Sequence, residues 1–110
     1  MLDIRLYMLH RLSALFMGPF VLVHIGVMIY AVQGGLSTAE ILGRTQGSVL
    51  WFLFYATFVI AVSVHSAIGL RVIVHEMLGV KGPSLSMLTW GICLALLVMG
   101  GRAVTAVTLL

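Results

Sequence analysis

Charged residues divide this chain into three stretches that carry none. Asp, Glu, Lys and Arg are absent between Arg11 and Glu40, between Arg44 and Arg71, and between Lys81 and Arg102. Each stretch has the roughly 20 apolar residues that a helix needs to cross the hydrocarbon layer of a bilayer. Composition points the same way. The chain is 62% hydrophobic and 8% charged, and a soluble domain of this size needs far more polar surface to cover its core. An all-α membrane protein with three transmembrane helices follows. With 110 residues, the chain holds one transmembrane unit over 1–110 and no separate soluble domain.

The same sparseness excludes several functions. Three acidic residues rule out most carboxylate-based active sites. A single cysteine, Cys93, excludes an internal disulfide or a cysteine-held metal cluster. The formal charge of +3 comes from basic residues flanking the spans. They form no cluster, so no nucleic-acid surface is expected.

Along the chain, the segment to Arg11 sits at the interface. It reads as the lead-in to a retained span rather than as a signal peptide, because the apolar run after it is too long for an h-region and contains Pro19 and His24. The first span covers about 12–32, with Tyr30 near its far end and a local bend at Pro19. In the connection that follows, Ser37 is placed to cap a short helix over 38–42, with Glu40 at the capping-box position. The second span covers about 49–71 and extends helically toward Met77. Trp51 and Tyr55 mark one interface; Arg71, His75 and Glu76 mark the other. A turn over 79–83 leads to a third helix capped by Ser84 or Ser86. This third span covers about 85–100, followed by Gly101-Arg102 and an apolar tail, and its Gly91 and Ala95 make a small-residue face suited to packing. Four basic residues, Arg5, Arg11, Arg71 and Lys81, fall on the side of the N-terminus, against Arg44 and Arg102 on the other. That balance puts the N-terminus inside.

Two histidines lie within the spans, and ionisable groups there are expensive enough to read as functional. His65 has Ala61 and Gly69 one turn away on the same helical face. Small residues on both sides leave room for a flat bulky group such as haem, or for a close neighbouring helix whose carbonyl the imidazole bonds. Those two readings stand evenly on these residues. Counting from Arg71, His65 is about 9 Å deep; counting from Arg11, His24 is about 20 Å deep. Histidines at different depths cannot ligate one iron. If both bind haem, two haems stack across the membrane, and another polypeptide supplies each second ligand.

The sequence Tyr7-Met-Leu-His10-Arg11-Leu-Ser13, continuing through Gly18-Pro19 to His24, resembles the first helix of membrane-anchor subunits of succinate dehydrogenase and fumarate reductase. His65-xxx-Gly69-x-Arg71, with an acid at Glu76, is similar to the second helix of the cytochrome b subunit of those complexes. The resemblance covers about 5–32 and 60–80. It implies half of a helical bundle completed by a second anchor subunit, with a flavoprotein and an iron–sulfur subunit on the inner face of the membrane; the short length and the absence of a transit peptide point to a bacterial inner membrane. It implies that His65 is an axial ligand of the haem b nearest those soluble subunits. His24 implies a two-haem type. By the same resemblance Arg11 lines the quinone pocket or meets a haem propionate, and His10 and Arg71 are propionate candidates. Two positions depart from the pattern. Tyr7 stands where relatives carry a quinone-contacting serine, and Val72 where many carry a second histidine, with His75 one turn on. The function expected is electron transfer between an iron–sulfur subunit and membrane quinone. The alternatives are a haemless fumarate reductase anchor and a small transport or assembly subunit. The absence of any acid within the spans speaks against a proton-relaying transporter.

Overall fold

A computed structural model describes residues 4–109. Four helices follow in order: α1 (Ile4–Gly34), α2 (Thr38–Thr45), α3 (Val49–Leu78) and α4 (Pro83–Thr108). The three long ones are each apolar and long enough to cross a membrane, and no strand occurs among the described residues. At 1.5 Å per residue, α1 is about 46 Å long against a hydrocarbon core of about 30 Å, so its ends stand outside the core. It starts well before the expected span because neither glycine nor proline interrupts Ile4 to Leu12. Tyr7, His10 and Arg11 are therefore helical. Pro19 lies inside α1 without ending it.

Local chemistry sets the other boundaries. Ser37 caps α2 as expected, its hydroxyl accepting from the Glu40 amide at 3.2 Å. Ser48 caps α3 in the same way through the Trp51 amide. Gly79 ends α3 in the left-handed conformation (φ 69°), with its amide on the His75 carbonyl, the usual glycine stop. The His75 Nδ1 proton goes to the Val80 carbonyl at 2.9 Å and pins the turn. The start of α4 corrects the sequence reading: neither Ser84 nor Ser86 caps it. Gly82 holds the cap position and Pro83 the first helical turn. Proline is preorganised there and has no amide to leave unpaired. This helix then runs unbroken through Gly100-Gly101-Arg102.

The central helix is α3, packed against both α1 and α4, which scarcely meet each other. Most buried residues belong to α3 and α4 and are small or hydroxylated: Ala61, Ser63 and Ala67 on one, Thr89 and Cys93 on the other. Small side chains let membrane helices approach closely. At the far end, α2 is tied to α4 by hydrogen bonds from Thr45 Oγ1 to the Val107 carbonyl (2.6 Å) and from the Gly47 amide to the Thr108 carbonyl (2.7 Å).

Gly91 and Ala95 are exposed, and a side chain at Gly91 would touch nothing within 4 Å. They are not the face by which α4 packs in this chain. The close approach is at Gly100, where an added Cβ would lie 2.5 and 3.0 Å from the two methyls of Val59. Rotating Val59 does not relieve this, since its Cβ is also within 3.4 Å; the helices must part. Gly100→Ala is expected to cost about 1–3 kcal/mol by overpacking, read as a lower thermal midpoint of the detergent-solubilised complex. Gly91→Ala serves as the neutral control.

Candidate functional site

Where α1 crosses α3, His10 and His65 stack with ring centroids 4.1 Å apart and planes 13° from parallel. Ser13, one turn beyond His10, is 6% exposed and is the one buried residue of α1 among those described. Its hydroxyl donates to the His10 carbonyl at 2.8 Å. A serine hydroxyl has one proton, so toward His65 it acts as an acceptor. His65 Nδ1 lies 3.2 Å from Ser13 Oγ and 3.3 Å from the His10 carbonyl oxygen. Both neighbours accept, so the proton of His65 is on Nδ1 and the lone pair on Nε2, which makes no hydrogen bond.

The carbonyl contact that the sequence allowed as an alternative to a haem site is present. It occupies Nδ1 only, and that is the contact a metal-binding histidine usually makes through its non-ligating nitrogen. The bond therefore serves both readings. Gly69 has a different neighbour from the one its spacing suggested: an added Cβ would sit 3.7 Å from His10 Nε2. The space beside Gly69 is filled by His10. Ala61, on the other side of His65, lines an open apolar groove of about 190 Å³ with Ser13, Phe16 and Val64. His65 itself does not line this groove, which is below the ~300–1,000 Å³ of cofactor pockets, so a porphyrin at this level needs walls from another chain.

The contact also corrects the level of Arg11. Since α1 and α3 run antiparallel with His10 opposite His65, Arg11 lies beside the His65 level. Arg71 is six residues, about 9 Å, nearer the end of the helix. The two arginines do not share a depth. Arg11 and Tyr7 lie on the exposed side of α1, with Arg11 Nη1 donating to the Tyr7 hydroxyl at 3.2 Å. Arg71 Nη1 donates to Thr89 Oγ1 at 3.3 Å, while its Nε is buried without a partner. No carboxylate pairs with it among the described residues; the one ion pair there is Arg44–Glu40. A cation so placed calls for an anion beyond the described residues.

His24 occupies a separate level. Its ring meets Tyr55 and Phe58 edge-on, at centroid distances of 5.9 and 5.5 Å. From His10 it is fourteen residues along α1, about 21 Å; from His65, Phe58 and Tyr55 are seven and ten residues along α3, about 10–15 Å. On either count the two imidazoles cannot meet at one iron. His24 lines a cavity of about 940 Å³ with Tyr30, Arg44, Trp51, Tyr55 and Val59 among its walls, within the range of cofactor pockets. His24 Nδ1 is buried with no partner, which costs about 1–3 kcal/mol unless something outside the chain bonds it. Thr89 and Phe58 were not singled out from the sequence, while Ser13 entered only as the end of the first-helix motif and Tyr55 only as an interface marker. Of these only Ser13 carried a signal, three residues after His10 and so on the same helical face.

Three apolar helices in up-down-up order, each long enough to cross a membrane, with buried polar groups that have no partner among the described residues, define a multi-pass helical membrane protein. The family described as succinate dehydrogenase/fumarate reductase transmembrane subunit matches residues 2–107. The chain belongs to that family and is a membrane subunit of that class of complex, so the reading of it as a transport or assembly subunit is set aside. No curated protein and no solved structure matches it.

Proposed function

We propose that this chain is a haem b-binding anchor that passes electrons between an iron–sulfur subunit and membrane quinone. The observation that carries the reading is the state of His65: Nδ1–H committed to two acceptors, and Nε2 left as an unshared lone pair. His65 would hold one haem iron and His24 a second, at the level of the larger cavity, and a second anchor chain would supply the opposite ligands. Bound haem supplies one-electron transfer; two sites at different levels divide the low-dielectric layer into shorter steps. His10 at the His65 level and Arg71 about 9 Å nearer the helix end, each with a buried nitrogen lacking a partner among the described residues, suit the haem carboxylates, since charge-assisted bonds are the stronger ones. Arg11 and Tyr7 present adjacent donors on the outer face of α1 for a quinone carbonyl. The flavoprotein and iron–sulfur subunits would dock at the end bearing Arg71 and Lys81. The count of basic residues supports a cytoplasmic position for that end, and the membrane would be a bacterial inner membrane.

The test is a reduced-minus-oxidised spectrum of the purified complex, with haem counted per copy of this chain. Two b-type haems, reduced on adding succinate or quinol, are expected. A complex that turns over with no haem would leave the chain a haemless anchor and sink the reading.

A further inference from the structure

The geometry points to Ser13 as the positioning residue of the His65 site: its hydroxyl fixes the tautomer and ring orientation of His65 and sets the electron density at Nε2. This rests on the proposed reading of His65 as a haem ligand and extends it to the one buried residue of α1 among those described.

Ser13 is buried on a helix whose other described residues are not. A serine in a helix interior ordinarily returns its proton to a carbonyl on its own helix, and this one does so, at the His10 carbonyl. That local bond turns the remaining lone pairs of Oγ across to α3, where His65 Nδ1 lies 3.2 Å away. The His10 carbonyl alone would hold His65 through one contact at 3.3 Å, at the long end of hydrogen-bond geometry. With Ser13, the Nδ1 proton is shared between two acceptors that lie 2.8 Å from each other. The ring is then fixed in plane by that fork and across its face by the stacked His10 ring. Drawing the Nδ1 proton toward acceptors makes Nε2 a stronger donor, and a stronger axial donor favours the oxidised metal. Loss of the hydroxyl removes one of the two acceptors. The imidazole becomes a weaker donor and the reduced form gains.

The experiment uses the assembled complex with Ser13→Ala and Ser13→Thr, poised at a fixed ambient potential. The reduced-to-oxidised ratio of the haem at the His65 level is read from its α-band, and the low-spin ferric signal is recorded by electron paramagnetic resonance. Ser13→Ala is expected to retain haem and raise the ratio by roughly tenfold, equivalent to about 59 mV for a one-electron couple. Its ferric g-values should shift as the ring loses its fork. Ser13→Thr keeps the hydroxyl and should return both readings toward wild type. Haem retained in Ser13→Ala with unchanged ratio and unchanged g-values would overturn the proposal and make Ser13 a packing residue. Loss of haem from both variants would make the position a constraint on volume, which overturns it equally. A wild-type complex without haem would overturn the underlying reading instead, an outcome that the parent spectrum shows before any variant is made.

Discussion

His65→Leu is expected to lower haem occupancy at its level by at least roughly tenfold, the scale on which even outer-shell substitutions weaken metal sites, while the complex still assembles. The second half of that expectation follows from the contacts. Removing the imidazole leaves no polar group stranded, because the Ser13 hydroxyl keeps its bond to the His10 carbonyl. The structural loss is the shared Nδ1 bond, about 0.5–1.5 kcal/mol, and the stack on His10, of similar size. Leucine restores apolar contact in a setting already lined by Ala61 and Val64. Haem per assembled complex, set beside subunit content on a native gel, separates the two effects. Unchanged haem in the intact assembly would place the ligand elsewhere and reduce His65 to a contact between α1 and α3.

The sequence showed the spans plainly and the facing of the helices hardly at all, for one physical reason. In water a helix displays an apolar stripe toward its core, and the stripe reveals its orientation. Here the helices are apolar all round, since lipid accepts what a core would. The long charge-free runs located all three long helices and the start of α3, but α1 begins about eight residues before its expected span and α4 ends about eight residues beyond its own; Ser37 gave the cap of α2. Which side of α4 packs was not recoverable: Gly91 and Ala95 have the right spacing and face outward, whereas Gly100 makes the close contact with Val59. Register between helices was hidden similarly. Arg11 and Arg71 look like matching interface markers, and only the His10–His65 stack shows that they sit at different levels. The candidate site was legible wherever a polar residue interrupts an apolar run, which exposed His24, His65 and Arg71. The residues that complete it, Ser13 and Thr89, resemble ordinary helix-packing hydroxyls until the partner across the interface is seen.

His24→Leu is expected to take the haem count from two to one and to leave the remaining haem unaltered in spectrum and potential. The cost to the fold is near zero. The substitution gives up two edge-on ring contacts, with Tyr55 and Phe58, each about 0.5–1.5 kcal/mol. It also removes a buried nitrogen that has no partner among the described residues, a gain of about 1–3 kcal/mol. A histidine kept only for packing would be replaced at no loss of haem, and that outcome would return His24 to the aromatic cluster between α1 and α3. The double substitution sharpens the test. Sites more than about 7–10 Å apart with no shared partner contribute independently, and the helical counts put these two imidazoles at least that far apart. With His65→Leu and His24→Leu combined, haem should fall to none, with each single variant retaining the haem that the other loses. Any interdependence, such as both haems lost on removing either histidine, would mean that the two levels form one cooperative site, contrary to the geometry of α1 and α3.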